Sequence, residues 1–324
     1  MIRGFTFERA ISWPFTAPHA ATFPWIFGLA YALVLMAVFG ALALLGADDF
    51  AGWIAALEVA EGSVNPDAGF NALFGSFASV ILWWALGVLA SWILWAKFET
   101  ASQRRYIRNG PFSLGFGTDE ARMMVVGLLW GLAGLAMVAA PAFLLIRAVS
   151  SAAGLSIIGA LATEDMQERT IGSLFGALGL CVLLFPLYTF FATRLAPCFG
   201  LTVRERKIRF FDAWNVSRGR AWSILGAYVI LGVGGSIGGQ VINGIAQAIA
   251  APATMDLFSE AERGADVRVL LLSPQLLVPM GFCFFISLFV QGVLQHVVGG
   301  PAAFAVRHDL RGGIEEENQI EMFS

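Results

Sequence analysis

Residues 24–46 read PWIFGLAYALVLMAVFGALALLG, from Pro24 to Gly46 without a single charged side chain. A hydrocarbon layer about 30 Å thick is crossed by about 20 residues of helix. This run is therefore long enough to span a membrane, and far too long for a strand. Five more runs of the same kind follow, at about 70–96, 123–146, 171–193, 222–250 and 269–298. The whole chain has 324 residues, of which 58% are hydrophobic and only 13% charged. Its mean hydropathy is +0.74. A soluble domain of that length cannot bury so much apolar surface, so lipid must cover the excess. Alternation of apolar and polar residues, the mark of a membrane barrel, is absent, which leaves helices. The expected fold is an all-α polytopic membrane protein with about six spans arranged as three helical hairpins and interfacial aromatic-basic segments.

The charges outside the runs set an orientation. Sixteen of the twenty lysines and arginines fall on one side: Arg3 and Arg9, a group from Lys97 to Arg122, a group from Arg194 to Arg220, and Arg307 with Arg311. Only Arg147, Arg169, Arg263 and Arg268 fall on the other. By the positive-inside rule the rich side is cytoplasmic, with both termini inside and three acidic loops outside. The outer loops hold Asp48, Asp49, Glu58, Glu61, Asp67, Glu164, Asp165, Glu168, Asp256, Glu260, Glu262 and Asp266. The first twenty residues carry Glu8, Pro14, Pro18 and His19 ahead of the apolar run, so no removable signal peptide is expected. Residues 1–311 read as one integral membrane domain and 312–324 as an acidic cytoplasmic tail. Cuts near 108 and 203 give three similar segments, 1–108, 109–203 and 204–308. Each has a basic-aromatic entry, a span, an acidic loop and a returning span. The returning spans end alike, in WAKFETASQRR, YTFFATRLAP and GPAAFAVRHDLR.

The densest polar stretch is RERKIRFFDAWNVSRGRAW, residues 204–222. It is too charged to span and too aromatic for an ordinary linker, which places it at the interface, where long basic side chains lie along apolar surface and lift their charges to phosphates. One reading makes it a topology determinant. A sharper one makes Ser217 the N-cap of the fifth span and leaves Arg218 and Arg220 in its first turn, where two cations against a helix N-terminus call for an anion. Ser217, Arg218 and Arg220 are thus candidates for binding a lipid headgroup. The third span starts Thr118-Asp119-Glu120, acids on the positive end, and needs no ligand.

The block Phe211, Ala213, Trp214, Ser217, Arg218, Gly219, Arg220 and Trp222 resembles a cytoplasmic element of uncharacterised multi-pass bacterial inner-membrane proteins, a group related to the membrane domain attached to some glycerophosphoryl diester phosphodiesterases. The resemblance implies a multi-pass protein of the bacterial inner (plasma) membrane without an agreed activity. No soluble phosphodiesterase domain accompanies it, and the chain has three histidines in all.

Within the spans no charge lies near a midplane; Lys97, Glu99, Arg147 and Arg194 sit at span ends. Uncharged polar residues do occur. Gln240, Asn243 and Gln247 share a face of the fifth helix, next to the small-xxx-small pairs Gly234/Gly238 and Gly235/Gly239, which imply a closely packed neighbour. Ser287, Gln291 and Gln295 form a stripe on the sixth helix. Counting rise from the ends keeps the two stripes apart and makes Ser273 and Gln275 the partners of Asn243 and Gln247. His296 reads as an interfacial histidine. Cys181, Cys198 and Cys283 read as packing residues. There is no P-loop and no metal-spaced cluster, so no cofactor is expected.

The leading expectation is a non-enzymatic inner-membrane protein that binds phospholipid headgroups or organises other membrane proteins. The rival is a small-solute or lipid transporter with an outward-facing polar cavity formed by Gln240, Asn243, Gln247 and Gln275. A membrane-embedded lipid enzyme is the third class, and no nucleic-acid partner is expected.

Overall fold

A computed structural model describes residues 5–62, 66–158, 164–262 and 273–309. Among the described residues the chain forms ten helices and no strand: α1 (Phe7–Thr16), α2 (Phe23–Leu45), α3 (Ala47–Gly62), α4 (Pro66–Arg108), α5 (Thr118–Ile158), α6 (Glu164–Leu195), α7 (Cys198–Glu205), α8 (Ala213–Val216), α9 (Ala221–Glu262) and α10 (Pro274–Arg307). Six of them, α2, α4, α5, α6, α9 and α10, are long and apolar enough to cross a membrane. The chain is an all-α, multi-pass membrane protein. The tail at 312–324 and the start of the sixth apolar run lie outside the described residues.

Two expectations need correction. The acidic outer loops are largely helix: Glu58 and Glu61 belong to α3, Asp67 to α4, Glu164 and Glu168 to α6, and Asp256 and Glu260 to α9. Helix α4 has 43 residues. At 1.5 Å per residue that is about 64 Å, roughly twice the hydrocarbon thickness. Hydropathy marked where the chain is apolar, not where its helices stop. The second correction concerns pairing. α5 with α6 and α9 with α10 are hairpins, but α2 lies mainly against α10 rather than α4. Glycine explains that choice. An added Cβ at Gly292 would meet Tyr31 Cβ at 2.7 Å, and one at Gly28 would meet Val293 Cγ2 at 2.6 Å, so α2 and α10 cross in near backbone contact.

The buried core sits at the arginine-rich end. Tyr106 and Ile107 of α4, Leu201 and Val203 of α7, and Ala303, Ala305 and Val306 of α10 form one cluster with Met123 and Ile224. Toward the opposite ends the helices expose Leu44, Leu45, Val138, Phe143, Val182, Ile249 and Val278. Side chains of this kind belong against lipid.

Arginines hold the buried end together by donating to backbone carbonyls near the helix ends. Arg307 Nη1 donates to Tyr106 O at 3.1 Å, Arg108 Nη2 donates to Val203 O, and Arg204 Nη1 donates to Val306 O at 2.7 Å. These three contacts close a ring linking the ends of α4, α7 and α10. Arg105 does the same for α1, donating through Nε to Pro18 O at 2.8 Å and through Nη2 to Pro14 O at 3.1 Å. The start of α5 is fixed by charge. Glu120 accepts from the Gly117 N–H at 2.8 Å and pairs with Arg104 at 2.8 Å, while Asp119 pairs with Arg108 at 2.7 Å and Arg122 at 3.0 Å.

Candidate functional site

The aromatic-basic block folds as a clasp between α6 and α10. Ser217 is not the N-cap of the fifth span: it follows the single turn of α8, and α9 begins at Ala221. Its hydroxyl is fully buried and donates to Arg194 O at 2.8 Å. Arg220 turns inward and donates to Ala305 O at 2.9 Å and His308 O at 3.0 Å, capping α10. Between them Gly219 has φ +76°, a left-handed turn that glycine takes without a Cβ penalty. Arg194 lies 4.3 Å over the Trp214 ring, fastening α8 to α6. Ser217 and Arg220 are therefore committed to the protein's own carbonyls, and Arg218 alone of the three points outward. Beside it Phe211 is 75% and Trp222 80% exposed, with Ile208, Arg206 and Lys207 also at the surface.

The amides of the fifth and sixth spans do not converge on a cavity. Gln240, Gln247 and Gln275 are exposed. Asn243 is met by Ser287, whose hydroxyl donates to Asn243 Oδ1 at 3.0 Å. The two stripes thus touch at that point, contrary to the separation expected from counting rise along ideal spans. That count placed the helix ends at the ends of the apolar runs, and both helices extend further. Ser273 Oγ is buried without a hydrogen-bond partner among the described residues, Asn243 included.

The polar centre of the molecule lies instead between α4 and α10, in residues that hydropathy assigned to span ends. On one side of this seam His296 is fully buried, which corrects its reading as an interfacial residue. Its Nδ1 lies 2.6 Å from Ser102 Oγ, and its Nε2 receives Arg105 Nη1. Tyr106 stacks on the ring at a centroid distance of 4.7 Å and donates to His296 O at 2.9 Å. Because guanidinium only donates, Nε2 must accept, and Nδ1–H is left to bond Ser102. Phe23 and Phe27 close the remaining faces of the ring.

On the other side of the seam is Glu99, 6% exposed. Its Oε1 accepts from Gln103 Nε2 at 2.8 Å and its Oε2 from Gln295 Nε2 at 3.4 Å. No lysine, arginine or histidine among the described residues forms an ion pair with it. Glu99, Gln103 and Gln295 face a cavity of about 660 Å³ between α4, α5, α6, α9 and α10, walled by Trp92, Trp95, Trp130 and Tyr228. A smaller apolar crevice of about 260 Å³ between α6 and α9 shares Thr189, Thr193 and Leu225 with this cavity and is bordered by the exposed side chains of Phe190 and Trp222. The cavity and the crevice thus share a wall at these three residues. It lies at the arginine-rich end, and none of Gln240, Asn243, Gln247 and Gln275 lines it.

The sequence reading placed Glu99 at a span end, Gln295 in a polar stripe and His296 at the interface, and passed over Gln103; it did not bring the four together, because they lie on two helices. The one signal that marks them is spacing: Glu99 and Gln103 are four apart on one helix face, with Ser102 and Arg105 on the adjoining one. Compared with protein-family models, curated proteins and solved structures, the chain matches none.

Proposed function

We propose that the chain is a non-enzymatic protein of the bacterial inner membrane, with its arginine-rich end at the cytoplasmic leaflet, where segment 206–222 engages phospholipid headgroups. The observation that carries the reading is the exposure of Phe211 and Trp222 next to Arg206, Lys207 and Arg218. Large aromatic side chains beside cations are costly in water and suited to the boundary between acyl chains and phosphates. Each cation near an anionic leaflet adds about 1 kcal/mol of attraction. The sixteen-to-four distribution of basic residues supports the orientation. The likeness of the Phe211–Trp222 block to multi-pass inner-membrane proteins supports the location. The attraction in this reading comes from a surface of dispersed cations, not from a pocket formed by Ser217, Arg218 and Arg220.

The test uses single cysteines at Lys207, Phe211 and Gly52. In intact cells an impermeant thiol reagent is expected to modify Gly52→Cys on α3 and to spare Lys207→Cys. In nanodiscs containing phosphatidylglycerol, a spin label at Phe211→Cys should be relaxed more by oxygen than by an aqueous nickel chelate, with the reverse at Lys207→Cys. External modification at 207 would reverse the orientation, and an aqueous signature at 211 would remove the segment from the membrane.

A further inference from the structure

A carboxyl group buried away from water is stable only if it is neutralised, by a proton or by a cation. Glu99 is enclosed and receives two amide N–H groups, yet no cationic side chain among the described residues reaches it. Gln103, 2% exposed and facing the same cavity, leaves its Oε1 without a hydrogen-bond partner. Glu99 therefore sets a carboxyl without a cationic partner among the described residues at one end of a cavity of about 660 Å³. That volume falls within the range of small-molecule sites, about 300–1,000 Å³. The remaining walls are apolar and rich in rings, with Trp92, Trp95, Trp130 and Tyr228 among them. Indole and phenol faces attract organic cations, most strongly where water is excluded.

We propose that this cavity binds the ammonium group of an amphiphile, with Glu99 accepting from the nitrogen, the aromatic walls around it, and the apolar portion along the rest of the apolar lining. The carboxyl chooses the head, since an anionic group would meet Glu99 unfavourably. The apolar lining of the same cavity, with Val229, Val298 and Leu225 beside the rings, chooses the tail. The cation occupies the place that a lysine or arginine fills at other buried carboxylates. Two sources carry this chemistry, an ethanolamine headgroup of a membrane lipid and a free alkylamine.

The full chain in nanodiscs of phosphatidylcholine and phosphatidylglycerol is titrated with radiolabelled octylamine and, separately, octanol, subtracting empty nanodiscs. Octylamine is expected to bind at one per chain and at least tenfold more tightly than octanol. Glu99→Gln removes the charge while its Oε1 still accepts the shorter contact from Gln103, and should bring octylamine down to the octanol level while leaving octanol unchanged. Gly131 lines the cavity with open space at its Cβ position, so Gly131→Phe should exclude both ligands without a packing clash. Equal affinity of the wild-type chain for amine and alcohol would overturn the proposal and mean that a proton neutralises Glu99. Undiminished amine binding by Glu99→Gln, or by Gly131→Phe, would overturn it as well. If Glu99→Gln does not fold, the wild-type amine-to-alcohol ratio and Gly131→Phe still decide. Competition by phosphatidylethanolamine added to the nanodiscs identifies the lipid source, and its absence the free amine.

Discussion

Arg218 and Arg220 are two residues apart and do opposite work. Arg220 is spent on the carbonyls of Ala305 and His308, whereas Arg218 faces outward. A hydrogen bond from a charged donor is worth about 1.5–3 kcal/mol. Arg220→Gln should therefore lower the midpoint of thermal unfolding by several degrees, and Ser217→Ala, which strands the Arg194 carbonyl, should cost about 1 kcal/mol. Arg218→Gln is expected to leave the midpoint unchanged and to reduce the phosphatidylglycerol that co-purifies with the chain. If Arg220→Gln lost lipid while keeping its stability, the assignment of Arg220 as a helix cap would fail. The sequence showed two arginines at the mouth of a span but not that one of them turns inward, because the partners of Arg220 are backbone carbonyls more than eighty residues away. Glu99 was hidden in the same way. Its chemistry depends on Gln295, on another helix, and a hydropathy profile contains no term for a neighbour.

Helices α9 and α10 show how far small residues alone specify packing. Two glycine pairs lie on α9, offset by one residue, and both match the small-xxx-small pattern. The structure uses one of them. A Cβ at Gly239 would lie 3.1 Å from Val290 Cγ1, and one at Gly235 would overlap Leu294, while Gly234 and Gly238 have open space. Gly235→Leu and Gly239→Leu should therefore push α9 from α10, at a cost of about 1–3 kcal/mol each from overpacking. Gly234→Leu and Gly238→Leu should express and melt like the wild type. Equal loss of folded yield in all four variants would mean that helix propensity or lipid packing, rather than the α9–α10 contact, governs the face. Span number and helical class were legible because about 20 uncharged residues have one stable form in lipid. Helix length beyond the membrane was not. Acidic residues after an apolar run suit a loop and a helix equally well, and the backbone at Glu58 and Asp256 is helical.

At the scale of the whole molecule, α4, α7 and α10, the last helix of each of the three segments or the one at its cut, finish on similar local sequence, an aliphatic β-branched residue followed by arginine: Ile107-Arg108, Val203-Arg204 and Val306-Arg307. Each arginine crosses to the end of another of the three, so Arg108 reaches Val203, Arg204 reaches Val306 and Arg307 reaches Tyr106. The cuts at 108, 203 and 308 fall within a residue of these arginines, and we propose that the three segments are repeats of one helix-pair unit whose footprint is this ring. A closed ring behaves differently from three independent caps. Removing one arginine frees a carbonyl and also loosens the helix end that carries the next arginine, so the first removal costs more than the second. Arg108→Ala, Arg204→Ala and Arg307→Ala should each destabilise the chain by about 1.5–3 kcal/mol. Each double variant should fall short of the sum of its singles by at least about 0.5 kcal/mol, the coupling typical of residues in one network. Unfolding of the purified chain in detergent measures all seven proteins, from wild type to doubles. Strict additivity in all three cycles would make the caps independent and leave the repeat without an energetic signature.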